Sequence, residues 1–441
     1  MVDNINKPER LSLESLSESF RTITVPQNAS FFRKLLAFSG PGYLVAVGYM
    51  DPGNWATDLA GGAKFGYALL FVILLSNLMA VLLQHLSAKL GIATGMDLAQ
   101  ICKKTYSKPI GIFMWLISEV MIIACDLAEV VGSAIALNLL FHIPLVIGII
   151  ITAADVFLLL MLQKKGFRYL EALVITLIGT IAVSFILEII LSRPEIAPLL
   201  QGFVPTVSLV GNKEMLYIAI GIIGATVMPH NLFLHSSIVQ TRSFNLDQRG
   251  KKEAIKFSTI DSTLALTLAF FVNAAILVVA AATFHKAGLT EVSDIGEAYK
   301  LLTPLLGTSL ASIVFGLSLL ASGQNSTLTG TLTGQIIMEG FLNLRIKPWI
   351  RRLITRLIAI VPALIIIIYF QDYGLGALLV FSQVVLGIAL PFAVVPLVMF
   401  TNNKEKMGAF VNSFWIKFLS YFVAALLIGL NVWLIYSQFV S

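Results

Sequence analysis

Apolar runs of membrane-spanning length, separated by short polar connections, fill the chain from about residue 35 to its end. At roughly 20 residues for each crossing of a ~30 Å hydrocarbon core, the pattern predicts eleven helices. They cover residues 35–61, 67–90, 111–141, 143–162, 169–192, 215–240, 259–284, 309–337, 354–371, 374–400 and 412–438. The chain therefore reads as an all-α polytopic membrane protein with almost nothing left over for a soluble domain. Residues 1–34 carry Asp3, Lys7, Glu9, Arg10, Glu14, Glu18 and Arg21 without an apolar core. They predict a short, mobile cytoplasmic tail and not a cleaved signal peptide.

Composition agrees with this pattern: 57% of the 441 residues are hydrophobic, 12% are charged, and mean hydropathy is +0.89. A water-soluble fold is excluded. The 30 Lys and Arg residues are unevenly placed. With the N-terminus in the cytoplasm, only Lys64, Arg193, Lys213, Lys286 and Lys300 fall on the far side. The positive-inside rule thus predicts a multi-pass protein of the cell membrane with a cytoplasmic N-terminus and, after eleven crossings, an extracellular C-terminus. Topology accounts for the net charge of +6, so a nucleic-acid partner has no support. The cluster Arg249, Lys251, Lys252 and Lys256 reads as a cytoplasmic retention signal in preference to a lipid head-group site. Cys102, expected in a loop, and Cys125, inside the third run, imply no disulfide framework.

Two runs are interrupted near their middles, by Asp51-Pro52-Gly53-Asn54 and by Met228-Pro229-His230-Asn231. Proline removes a backbone donor and clashes with the preceding turn, and Gly53 opens backbone angles closed to other residues. Pro52 and Pro229 stand 177 residues apart, about the length of five runs and their connections. A unit of five crossings must insert upside down relative to its predecessor. The chain is therefore expected to hold two inverted halves, residues 35–192 and 215–400, with residues 412–438 as an appended helix. Unwound carbonyls at matching breaks become free to face a ligand, and such breaks are tolerable in hydrocarbon only where they line a cavity or bind something.

Asp51 carries a charge in mid-run, where an isolated one costs at least ~2.5 kcal/mol, and a cationic substrate is the simplest partner. Asn54 adds an amide oxygen one turn on, Met228 a thioether, and the second break backbone carbonyls near Ala225. Alkaline-earth ions take oxygen alone, whereas softer transition ions accept sulfur, so this set favours ions such as Mn²⁺ or Fe²⁺. Met228 could also be a packing methionine. His230 could be a buried hydrogen-bonded imidazole, a ligand or, our preferred reading, a proton acceptor. The alternative is a sodium-coupled carrier of an organic solute, since one fold hosts many cargoes; an organic carboxylate would sit poorly beside Asp51. A passive channel is disfavoured because a ligand-rich site holds its ion too tightly. Nothing in the sequence points to an enzyme; the His-Glu-x-x-His zinc pattern is absent.

The two quartets, the run from Gly323-Gln324-Asn325-Ser326-Thr327 to Gly330-Thr331, and Gln335 with Met338-Glu339-Gly340-Phe341-Leu342 together resemble the Nramp family of divalent-metal transporters, over essentially the whole chain from about residue 35. The resemblance implies a LeuT-type inverted repeat of five plus five helices with an eleventh. It also implies import of Mn²⁺, Fe²⁺ and related ions coupled to protons, with no cofactor and with the bilayer as surroundings; we expect a monomer. Carried over by motif, Asp51, Asn54, Met228 and the Ala225 carbonyl would be ligands, joined in some conformations by Gln383. A proton route would run through His230 and the acids of the third run toward arginines of the ninth. Glu119, Asp126 and Glu129, at i, i+7 and i+10, do share one helix face, and Arg351 and Arg352 open the ninth run. Trp55, Ala56 and Phe233 depart from many relatives, which touches fine substrate preference only. Asp155, Glu188 and Asp261 have no motif and are expected to be helix-end or packing residues.

Overall fold

Proline decides where the membrane helices start and stop. The structure, a computed structural model, describes residues 16, 19–26, 29–152, 167–206, 208–292, 294–344, 346–370 and 374–439. The first apolar run is three helices: α1 (Phe31–Phe38), α2 (Pro41–Gly48) and α3 (Pro52–Phe65). Pro41 and Pro52 each sit at a first helical position, where the missing N–H would have no partner in any case. Then come α4 (Leu70–Thr94), a short α5 (Leu98–Thr105), the long α6 (Lys108–Phe141) and α7 (Phe167–Ser192). Of the fourth run, residues 145–152 are helical; residues 153–166, with Asp155, lie outside the described residues.

The second half begins with the second broken helix. It comprises α8 (Lys213–Val227), α9 (Pro229–Ile238), α10 (Gln248–Ala280), α11 (Ile295–Leu306), α12 (Ser309–Leu342), α13 (Pro348–Phe370) and α14 (Leu375–Thr401). The appended helix is α15 (Phe414–Phe439). Among the described residues, seven helical stretches are long and apolar enough to span a membrane. The first break leaves α2 with eight residues, α12 is diluted by its Ser, Thr and Asn positions, and the fourth run extends beyond the described residues. The stretch joining α8 and α9 has 94% of its most apolar window buried, against 33% for α7 and for α15. The broken helix therefore lies at the centre, and α7 and α15 turn exposed side chains such as Ile186, Ile190, Phe418 and Trp433 outward, where lipid would cover them.

The start of α2 is clamped by charge. Arg242 is 1% exposed; it pairs with Glu171 of α7 at 2.7 Å and donates to the Ser39 carbonyl at 2.6 Å. Arg168 donates to the carbonyls of Ala37 and Ser39, both at 2.8 Å, holding chain that follows α1 and would otherwise leave its last carbonyls unpaired. Asp261 of α10, expected to be a helix-end or packing residue, instead accepts from the backbone N–H of Gly42 at 2.7 Å and of Gly40 at 3.3 Å. It neutralises the free donors at the start of another helix. Gly40 has φ +135°, and a Cβ there would lie 2.2 Å from the Glu171 carboxyl. Two further expectations change. Ile23–Thr24 of the supposedly mobile tail pairs in parallel with Arg242–Ser243, and Cys102 is buried within α5, where burial pushes its thiol pKa up.

Candidate functional site

The unwound link between α2 and α3 exposes carbonyls that no helix can satisfy, and the protein supplies donors for them. Asn273 Nδ2 of α10 donates to Tyr49 O at 2.8 Å; Trp55 Nε1 donates to Met50 O at 3.2 Å, and the Ser322 hydroxyl of α12 donates to the same atom. At the second break Tyr49 Oη donates to Val227 O at 3.2 Å. Gln84 of α4 donates to Tyr49 Oη at 2.8 Å and lies 3.0 Å from His235 Nδ1 of α9. The expectation of open carbonyls is thus corrected. In hydrocarbon each unpaired carbonyl would be costly, and these are held by side chains of α3, α10 and α12 and by Tyr49 of the first break itself.

Asp51 is the N-cap of α3. Its Oδ1 accepts from Asn54 N at 2.8 Å and from Asn54 Nδ2 at 2.7 Å, while Oδ2 has no hydrogen-bond partner among the described residues. The same Asn54 Nδ2 donates to Ala225 O at 3.1 Å and Gly48 O at 3.4 Å, and Asn54 Oδ1 accepts from Asn273 at 3.2 Å. One amide nitrogen therefore sits among three oxygens drawn from both breaks. Met228, between α8 and α9, has φ 41° and ψ 94°, an uncommon conformation for a residue with a side chain. Its sulfur accepts from Asn231 Nδ2 at 3.6 Å. Gly48 makes room for it: a Cβ at Gly48 would lie 2.9 Å from Met228 Sδ. Gln383 of α14 lies over Gly53, where a Cβ would stand 1.9 Å from its amide nitrogen, and its Oε1 has no partner among the described residues.

All five expected ligand positions, Asp51, Asn54, Ala225, Met228 and Gln383, are fully buried around the two breaks. Among the described residues no cluster of three His, Cys, Asp or Glu side chains could hold a metal. A centre at the breaks would therefore rest on one carboxylate with amide, carbonyl and thioether groups.

The acids of α6 meet arginines of α13. Glu119 receives Arg351 Nη2 at 2.9 Å on both oxygens and Trp115 Nε1 at 3.0 Å. Glu129, fully buried, lies 3.6 Å from Arg356, and Arg356 donates to Thr327 Oγ1 of α12 at 2.6 Å. Asp126 is buried on the same face and lies within electrostatic reach of His230, the second residue of α9. Neither ring nitrogen of His230 has a hydrogen-bond partner among the described residues. The side chain of Arg352 lies outside the described residues. Sequence reasoning missed Arg356, whose place five residues after Arg351 on a helix beside two acids was the available signal. It also missed Asn273, a lone amide in the apolar seventh run.

Comparison with known proteins follows the same lines. The family described as Natural resistance-associated macrophage protein-like (Nramp) matches residues 42–437. A Nostoc sp. protein named divalent metal cation transporter MntH is 61% identical over 421 residues, covering 96% of this chain and 95% of its own. A protein of the same name from Listeria welshimeri is 60% identical over 422 residues, covering 96% and 94%. The crystal structure of a manganese transporter from Eremococcus coleocola, bound to an aromatic bis-isothiourea substituted compound, superposes with a TM-score of 0.89 at 44% identity. That match covers 96% of this chain and 91% of the other. MHP1, a nucleobase-cation-symport-1 family transporter, shares the fold alone, with a TM-score of 0.59 at 12% identity over 90% of this chain and 93% of its own. The fold is the LeuT-type inverted repeat of five plus five helices with an eleventh, and the chain is a multi-pass membrane protein that belongs to the Nramp family.

Proposed function

We propose that this protein imports divalent transition-metal ions, Mn²⁺ and Fe²⁺ above all, by alternating access coupled to protons. The observation that carries the reading is the position of Asn54 Nδ2, which lies within hydrogen-bond distance of three acceptors, Asp51 Oδ1 at 2.7 Å, Ala225 O at 3.1 Å and Gly48 O at 3.4 Å. A donor nitrogen held by three acceptors occupies the place a cation would take. Rotating the Asn54 amide would withdraw that nitrogen and offer Oδ1 instead. Asp51, Asn54 and the Ala225 carbonyl then supply oxygen, Met228 supplies sulfur, and Gln383 approaches from α14 with its unpaired Oε1. The names of the MntH relatives and of the Eremococcus transporter support the cargo class.

The proton takes a separate path in this reading: His230 beside the site, then Asp126, Glu129 and Glu119 of α6, with Arg351, Arg352 and Arg356 of α13 holding the acids in place. The halves 35–192 and 215–400 move relative to one another, and one chain suffices, as a monomer. Full-length protein in vesicles that enclose a pH dye should accumulate Mn²⁺ and acidify inside. Asp51→Ala should abolish both signals. Normal uptake by that variant would sink the site assignment, and metal uptake without acidification would sink the coupling. A competition series with Fe²⁺ in the same vesicles ranks the two cargoes.

A further inference from the structure

Asp58 is a buried carboxylate that neither the breaks nor the acidic face of α6 explains. It is 1% exposed, and neither of its oxygens has a hydrogen-bond partner among the described residues. An ionisable group inside a membrane protein, without an acceptor-satisfying donor, is expensive and marks a functional position. Its place on α3 says which one. Asp51, Asn54 and Asp58 stand at i, i+3 and i+7, so they share one helix face, with Asp58 about 10 Å along the axis from Asp51.

That face meets α10. One turn before Asp58, Asn54 is bonded to Asn273; one turn after it, a Cβ on Gly62 would lie 2.4 Å from Leu277 O and 2.8 Å from Ala280 Cβ. Asp58 is bracketed between them. The polar atoms along this face that have no partner among the described residues, Asp51 Oδ2, both Asp58 oxygens and Asn273 Oδ1, are acceptors. Asp51 is within electrostatic reach of Asp58. The acids Glu119 and Glu129 are already neutralised by Arg351 and Arg356.

A dication held by Asp51 alone would leave one uncompensated positive charge in a dry interior, which is costly. We propose that Asp58 is an electrostatic positioning residue for the cargo: the second negative charge that makes the region neutral when a dication is bound. It acts from one turn beyond Asn54, across the protein interior, and the bound dication holds it ionised. The inference rests on the reading of Asp51 as a cargo ligand.

The test uses full-length protein in proteoliposomes and Mn²⁺ at fixed pH. Asp58→Asn should raise the KM for Mn²⁺ roughly tenfold, as Coulomb's law allows at this spacing, with Vmax changed less than about twofold. Calorimetric Mn²⁺ affinity of the purified protein should fall in step. A second pair, Asp58→Glu and Asp58→Gln, matches in size and differs in charge; the Glu variant should keep a KM near wild type and the Gln variant should not. An unchanged KM in Asp58→Asn, or equal KM values in the Glu and Gln variants, overturns the inference. Either result with Asp51→Ala still inactive leaves the metal-site reading standing. Normal Mn²⁺ uptake by Asp51→Ala removes that reading instead, and this inference with it.

Discussion

Met228 combines an unusual backbone with a soft donor. Its φ of 41° is shared by no other residue at either break, and it depends on Gly48 leaving space for the sulfur. Alanine at 228 would bear the same backbone conformation at a similar cost, since both residues carry a Cβ. Met228→Ala therefore isolates the thioether. The variant should retain most Mn²⁺ uptake and gain uptake of Ca²⁺ or Mg²⁺, because the sulfur favours soft ions and contributes nothing to alkaline-earth ones. Tracer uptake of ⁴⁵Ca²⁺ beside Mn²⁺ checks it, and unchanged selectivity would count against the sulfur as a ligand. Residues of this kind were legible in the sequence because proline marks the break and the chemistry lies next to it. Arg356, Asn273 and Asp58 were not, because each acquires its significance from a facing helix, a contact that spacing along one chain does not encode.

At the scale of elements, the clamp on α2 is the part that the proposed alternating access would have to release. Arg242, Glu171, Arg168 and Asp261 come from the short strand Arg242–Ser243, α7 and α10 and converge on Ser39, Gly40 and Gly42. Removing Arg242 leaves Glu171 buried with only the half-exposed Arg168 beside it, and an unbalanced buried charge of this kind costs about 3–5 kcal/mol. The expected response is that α2 moves away. Val45 of α2 is fully buried, so a cysteine placed there, with Cys102 and Cys125 replaced by serine, reports the movement. Arg242→Met should raise its labelling by a membrane-impermeant maleimide at the cytoplasmic face at least about tenfold; an unchanged rate would mean that the clamp does not hold α2. Helices and breaks followed from hydropathy and proline, to within a few residues for α7, α14 and α15. The clamp did not follow: its charges sit at the ends of runs, where Asp261 looked like an ordinary helix-end residue, and Gly40 shows its constraint only once Glu171 is packed against it.

The whole molecule is asymmetric in charge, and its direction of transport depends on which side is which. The few cations assigned to the far side include Lys64, which pairs with Glu214, and Lys286, which pairs with Glu195 at 2.7 Å. On the opposite side Lys34, Arg249, Lys252 and Lys256 line a cavity of about 1130 Å³ between α1 and the start of α10. Cytoplasmic loops collect Lys and Arg, so in the orientation we propose this cavity, the paired strands Ile23–Thr24 and Arg242–Ser243, and the α2 clamp would face the cytoplasm. α15 then carries the chain across once more. Alkaline phosphatase fused after Ser441 should be active, because the enzyme works only outside the cytoplasm. The same reporter fused after Asn402, in the connection before α15, should be inactive. The two fusions differ by a single crossing, so they test the odd number of spans and the orientation together. Inactivity at both positions would place both ends of α15 on the cytoplasmic side and remove it as a span. Activity at Asn402 with none at Ser441 would invert the molecule, and inward metal transport would then have to enter through the face that α2 and its clamp close.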